Sequence, residues 1–274
     1  MVEKWRISKQ NFGGVSYCSI FFMKKKDKRG EVMNIAHRGA SGYAPENTFA
    51  AYFLALKMKA DYLEIDVQMS RDGELVLIHD KTVERTTDGN GLVSEKTLHE
   101  LKELDAGGWF SGEFKNERIP TLPEVFATFR TKVGFLIELK YPSLYPGIEE
   151  KLARTLESFR LAESDKIIVQ SFDEKAVQRI KKRLPKISVG VLVKYNIWGI
   201  SSAKLKDISA YATYVNPNRR LITKKLVKRI HKNGMKVTPY AVYRKKTIQS
   251  FYNLGVDGII CDYPDLVAEN QKAR

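Results

Sequence analysis

The sequence predicts an α/β protein, a (β/α)8 barrel with a small insertion after its second strand. Three observations carry this. After residue 31, short apolar runs alternate with amphipathic helical patterns to the end of the chain. Eight runs read as strands, and from Val133 onward they recur about every 20–35 residues, the length of one βα unit. The length, 274 residues, suits one barrel domain, 32–274, behind a short leader. An open doubly wound sheet would call for a Gly-rich phosphate fingerprint after the first strand, and HRGASG is not one.

The strand runs, in order, are Val32–Ala36, Tyr62–Val67, Val133–Leu139, Ile167–Gln170, Ile187–Val193, Ala212–Val215, Met235–Thr238 and Gly258–Cys261. Between them lie helical patterns such as ENTFAAYFLALKMK, GIEEKLARTLESFR and KKLVKRIHKNG. The gap between the second and third runs is about twice the usual unit. Within it, EIDVQMSRDGELVLIHD reads as a β-hairpin, because β-rich runs flank SRDG and Asp-Gly is a turn signal. Residues 70–120 are therefore expected as an insertion on top of the barrel, not a separate domain. A turn centred between Arg71 and Asp72 would pair Glu64 with His79. Alternate residues of a strand share a face, so Glu64, Asp66 and His79 would form one patch.

Residues 1–31 are expected to be a poorly ordered leader. Their apolar stretch VSYCSIFFM is too short to span a bilayer and lacks a small-residue cleavage site. The two cysteines, Cys18 and Cys261, allow no disulfide framework or thiolate zinc site to be read, so a reducing, cytoplasmic setting is expected.

The net charge of +15 first suggests a polyanionic partner. Its distribution argues otherwise. Residues 174–234 hold sixteen Lys and Arg against two acids, and residues 1–30 hold eight against two, so the remainder is net −5. Much of the basic excess follows helical patterns, as a solvated face does, without interleaved stacking aromatics. No nucleic-acid partner is expected. The basic leader could touch a membrane surface, a contact this reading does not favour, and nothing in the sequence defines an oligomeric state.

The polar residues that matter sit at strand ends. His37 and Arg38 end the first run, Glu64 and Asp66 the second, and Glu138 and Lys140 the third. A barrel of this kind builds its site at the C-terminal ends of its strands. Three carboxylates together call for a cation, and oxygen ligands without thiolates favour Mg²⁺, Ca²⁺ or Mn²⁺. Arg38 and Lys140 beside such an ion suit a phosphate group, and His37 with His79 suits general acid–base work near neutral pH. The combination points to phosphoryl chemistry on a diester. His99 and His231 lie on charged helical patterns and read as surface residues, while Cys261 reads as a small buried hydrophobe.

The segments HRGASGYAPENT, EIDVQMSRDGELVLIHD, WFSGEFKNERIPTLPE and IELK resemble the motifs of the glycerophosphodiester phosphodiesterases. QSFD and GVDGIICDYPD extend the resemblance, which covers residues 32–268. It implies a (β/α)8 barrel with an insertion after the second strand, and a requirement for a divalent cation. It also implies hydrolysis of small glycerophosphodiesters, such as glycerophosphocholine or glycerophosphoethanolamine, to sn-glycerol 3-phosphate and an alcohol. By motif position, Glu64, Asp66 and Glu138 match the metal ligands, His37 and His79 the acid–base pair, and Arg38 and Lys140 the phosphate contacts. Glu46, Phe172 and Tyr240 are implied on the substrate side, and Asn47 is placed to cap the helix that follows. The chain departs from the family where a WTVN-like stretch is usual: it has YAVY, Tyr240 to Tyr243. The alternative reading is a lysophospholipase D or phospholipase C-like enzyme working at a lipid surface.

Overall fold

The predicted runs become parallel strands in the computed structural model, which describes residues 32–272. The expected leader lies outside the described residues. The strands are β1 (Met33–Ala36), β2 (Tyr62–Met69), β3 (Leu75–Leu77), β4 (Gly134–Leu139), β5 (Ile167–Ser171), β6 (Ser188–Val193), β7 (Tyr214–Pro217), β8 (Lys236–Val237) and β9 (Gly258–Cys261). All but β3 pair parallel, in the order β8-β7-β6-β5-β4-β2-β1-β9. The ring closes where Ile260 N donates to Pro239 O at 3.1 Å and Val242 N donates to Ile260 O at 2.9 Å. β8 is short because Pro239 has no N–H to give the ladder. The chain is thus a (β/α)8 barrel.

The connecting helices are α1 (Phe49–Lys57), α2 (Leu98–Glu103), α3 (Leu122–Phe129), α4 (Ile148–Ser158), α5 (Glu174–Arg183), α6 (Ser202–Ser209), α7 (Lys224–Lys232), α8 (Lys245–Leu254) and α9 (Pro264–Lys272). Their starts follow local chemistry. Thr121 and Glu124 form a capping box on α3, and the Asp173 and Thr223 side chains cap α5 and α7. α5 and α7 bury Val177, Ile180, Leu226 and Ile230 and turn Lys182, Lys224, Lys225 and Lys228 to solvent, so this part of the basic excess is a solvated outer face.

Period-two alternation divides the strands between two cores. Leu63, Ile65 and Val67 of β2 and Phe135, Ile137 and Leu139 of β4 face outward, packing with Phe126, Phe129, Leu152 and Leu156 of the helices. Ile35, Leu136, Ile168, Tyr214 and Ile260 form a separate buried cluster within the ring. Each such side chain contributes about 1.5–3 kcal/mol of burial energy, which offsets the cost of holding charges above them.

The hairpin register differs from expectation by one residue. The opposed pairs are Val67 with Leu77 and Met69 with Leu75, so Asp66, not Glu64, stands at the hairpin's last backbone bond, donated by Ile78 N at 3.1 Å. The cause is the turn. Gly73 N donates to Ser70 O at 3.0 Å, Ser70 N donates to Glu74 O at 2.9 Å, and Gly73 takes φ +84°. That is a three-residue loop centred on Asp72, with glycine supplying the left-handed residue. The rest of the insertion packs its own cluster of Val76, Ile78, Val83, Val93, Leu101, Ala106 and Ile119.

Candidate active site

β1, β2 and β4 lie side by side, and their register sets Asp66 beside Glu138. The alternation that sends Leu63, Ile65 and Ile137 outward sends Glu64, Asp66 and Glu138 inward. All three are buried, and each offers one oxygen within 4.8 Å of the others'.

β1 hands the chain to a tight turn. Arg38 takes φ +53° and Gly39 φ +84°, and a Cβ on Gly39 would stand 2.7 Å from Ala51 of α1. Glycine is required there for the turn to sit against the helix. The turn aims Arg38 inward: its N–H donates to Glu64 Oε2 at 2.9 Å, and its Nη1 donates to Glu46 Oε1 at 2.9 Å. Its Nε lies 3.0 Å from Asp66 Oδ2, an ion-pair contact off hydrogen-bond alignment. Opposite, Lys140 Nζ donates to Glu138 Oε1 at 2.6 Å and stands 3.7 Å from Asp66 Oδ1.

With all three carboxylates ionised, Arg38 and Lys140 leave this cluster at −1. The titration of its members follows. Burial drives Glu64 well above the ordinary glutamate range, with the Asp66 and Glu138 charges adding to the push. Burial likewise raises Glu138, to about 7, against the pull of Lys140. For Asp66 burial also opposes ionisation, but Arg38, Lys140, His79 and the Asn47 amide outweigh it and hold the carboxyl well below its usual value. Burial would lower Lys140, yet Asp66 and Glu138 hold it above the ordinary lysine range. Asp66 Oδ1 is buried with no hydrogen-bond partner. An unpartnered buried oxygen on Asp66 beside two glutamates that resist ionising fits a hard divalent cation, for which all three donors are suited.

The two histidines are anchored alike. His37 Nδ1 lies 2.6 Å from Asp262 Oδ1, just beyond β9, and His79 Nδ1 lies 2.6 Å from Asp80 Oδ1. A carboxylate at Nδ1 takes that ring N–H and leaves Nε2 as the free basic nitrogen. Burial lowers His79, with Arg38 and Lys140 pushing the same way and Asp66 opposing, so its ring is neutral near pH 7.

Of the remaining expected residues, Phe172 and Tyr240 meet edge-to-face at 5.8 Å, and Lys140 Nζ lies 5.9 Å from the Phe172 ring, so both aromatics stand at the cluster. Glu46 is tied up by arginines. Arg85 Nη1 and Nη2 donate to its two oxygens at 2.8 Å each, and Arg38 shares one of them. Arg85 also donates to Asp80, joining the first loop to the His79 pair. Asn47 does not cap α1; the Thr48 hydroxyl does. Asn47 instead takes φ +56°, donates to Asp66 Oδ2 at 3.0 Å, and accepts from Tyr52 OH at 3.1 Å. Sequence reasoning did not single out Asp262, Asp80 or Arg85. Asp80 directly follows His79, and Asp262 directly follows the last strand, which was the available signal. His99 and His231 are exposed, and the Cys261 thiol is buried, pushed up to about 12 by burial.

The sequence model of the glycerophosphoryl diester phosphodiesterase family matches residues 37–266, from the first histidine to beyond Asp262. The chain belongs to this family. A glycerophosphodiester phosphodiesterase of Caldanaerobacter subterraneus subsp. tengcongensis is 41% identical over 84% of this chain and 94% of its own length. One from Bacillus subtilis is 35% identical over 88% and 87%. Among solved structures, an Oleispira antarctica phosphodiesterase in complex with the product sn-glycerol-3-phosphate is similar with a TM-score of 0.81. It is 32% identical, covering 89% of this chain and 97% of that one. This glycerophosphoryl diester phosphodiesterase family member is therefore an enzyme, a phosphoric diester hydrolase. Among the described residues no helix is long and apolar enough to cross a membrane.

Proposed function

We propose that this enzyme hydrolyses small glycerophosphodiesters, glycerophosphocholine and glycerophosphoethanolamine among them, to sn-glycerol 3-phosphate and the free alcohol, with His37 and His79 as the acid–base pair. One observation carries the reading: two carboxylate-anchored imidazoles accompany a buried carboxylate triad held between Arg38 and Lys140. The product bound in the Oleispira relative supports the same substrate class.

Glu64, Asp66 and Glu138 would hold the cation. Bound there, a divalent ion supplies charge that stabilises the phosphoryl oxygens and acidifies the attacking oxygen. With Glu64, Asp66 and Glu138 ionised around such an ion, the cluster with Arg38 and Lys140 would be +1, matched to a phosphodiester monoanion. Arg38 and Lys140 bind and orient the phosphate with fixed donors. One imidazole removes the proton of the attacking oxygen at Nε2, and the other delivers a proton to the departing alcohol. Asp262 and Asp80 hold the two rings in the tautomer that keeps Nε2 available. Phe172 and Tyr240 wall the pocket and exclude water on that side. Because the hairpin and its extension provide His79, Asp80 and Arg85, the 70–120 insertion serves this site and is not a domain of its own. The two distant cysteines, with Cys261 buried, favour a reducing, cytoplasmic setting.

The test is a substrate panel with a metal series. Glycerophosphocholine and glycerophosphoethanolamine should turn over with Mg²⁺, Ca²⁺ or Mn²⁺ and stop in excess chelator. Full turnover in chelator, or none on any glycerophosphodiester with any of the three ions, would overturn the reading.

A further inference from the structure

The loop after β6 carries the most exposed large apolar side chains among the described residues. Trp198 is 89% exposed, Ile197 77% and Tyr195 47%. Singly exposed apolar residues are ordinary, but three within four positions at one loop tip mark an interaction surface. Strands β6, β7 and β8 are parallel, so this loop, the loop after β7 and the segment after β8 share the barrel face that holds the site. Backbone bonds join them there: Asn218 N donates to Val193 O at 2.8 Å, and Arg219 N to Tyr240 O at 2.7 Å.

The rim around that tip is cationic. The Arg220 guanidinium stacks 5.0 Å from the Tyr195 ring, and Arg219 stacks 4.6 Å from the ring of Tyr243, which is 40% exposed. Arg244 and Lys246 extend the rim. Among the described residues no carboxylate pairs with Lys194, Arg219, Arg220, Arg244 or Lys246, and the sequence from Ile208 to Val256 contains no Asp or Glu. Unpaired cations interleaved with tyrosine around an Ile-Trp tip are the composition that settles at the headgroup level of an anionic bilayer.

We propose that this rim docks the enzyme on an anionic phospholipid surface, with Ile197 and Trp198 entering the interface and the rim cations meeting the headgroups. A second copy of the chain fits poorly, since a two-fold contact would set unpaired cations against each other. The proposal concerns where the enzyme sits and does not depend on the acid–base assignment. Lys194 Nζ lies 5.2 Å from the Phe172 ring, so the docked rim adjoins the substrate pocket and would turn it toward the membrane.

The test is sedimentation of the full chain with vesicles of phosphatidylglycerol and phosphatidylcholine, against phosphatidylcholine alone. The expected result is salt-sensitive binding to the anionic vesicles. The double variant I197S/W198S should lower that partition by about tenfold or more, with glycerophosphocholine turnover in solution kept within twofold. Trp198→Phe, mild enough for an exposed loop, should remove most of the quenching of tryptophan fluorescence by brominated lipid. Equal partition of variant and unmodified protein would place the contact elsewhere and overturn the proposal, as would no binding to anionic vesicles. Dimerisation in solution that I197S/W198S abolishes would also overturn it, identifying a second copy as the occupant.

Discussion

Asp262→Asn isolates what the carboxylate behind His37 contributes. The two side chains are isosteric, so packing beyond β9 is kept, and the Asp262 side chain is 27% exposed. Burial opposes ionisation of Asp262, but its bond to His37, the His37 and Arg38 charges and a bond to Ser41 together outweigh this and hold the carboxyl below its usual value, so it is an anion at neutral pH. The bond lost is a charged one of 2.6 Å. A hydrogen bond to a charged group contributes about 1.5–3 kcal/mol and a neutral one about 1, so the substitution removes about 1–2 kcal/mol. The contact matters most when His37 carries the extra proton during turnover. At about 1.36 kcal/mol per decade, kcat should fall about 5- to 30-fold with KM unchanged, because Asp262 bonds the ring and not the phosphate. Release of sn-glycerol 3-phosphate from glycerophosphocholine, coupled to its dehydrogenase, measures both constants. Thermal denaturation checks that the fold is kept. A kcat within twofold of the unmodified enzyme at the same Tm would refute the orienting role. A raised KM with kcat unchanged would refute it too, by moving Asp262 into binding.

Three further outcomes are expected. Replacing His37 or His79 with Ala should each lower kcat by about 10²–10⁴-fold, and a p-nitrophenyl leaving group should partly restore only the variant that lost the general acid; equal rescue of both would sink the pairing. In excess chelator, stability should fall as pH rises from about 4.5 to 7. Glu138 keeps its proton in the folded state up to about 7, while the unfolded chain releases it near 4.5, so unfolding is favoured across that window by about 3 kcal/mol. Glu138→Gln should flatten this part of the denaturation profile, and an unchanged profile would count against the assignment. Asn47→Ala should destabilise the protein by about 2–5 kcal/mol, since the buried Tyr52 hydroxyl and the Asp66 carboxylate lose their partner and alanine must adopt φ +56°; a Tm loss under 2 °C would contradict this.

The barrel and the site's principal charged residues were legible in the sequence because both are written in local periodicity. A parallel strand buried on both faces shows as an apolar run, and an ionisable residue near its end stands out against that run. His37, Arg38, Glu64, Asp66, Glu138 and Lys140 were all found this way, and alternation alone placed Glu64 and Asp66 on one face. What the sequence missed depends on distance across the fold. The one-residue shift of the hairpin came from a three-residue loop whose left-handed residue is Gly73, a choice that the letters SRDG leave between two turn lengths. Asp262 stands 225 residues from His37 and meets it only because the ring closes β9 onto β1. Glu46 read as a substrate-side member of the site's polar network, but its pairing with Arg85, brought over by the insertion, could not be read from local spacing. Asn47 read as a helix cap, yet the turn after β1 rotates it onto Asp66 and leaves capping to Thr48. Residue type and local spacing determined which groups could do the chemistry. Barrel closure decided that Asp262 holds the His37 imidazole, and the packing of the insertion set Arg85 on Glu46, because those contacts join segments with no periodic relation along the chain.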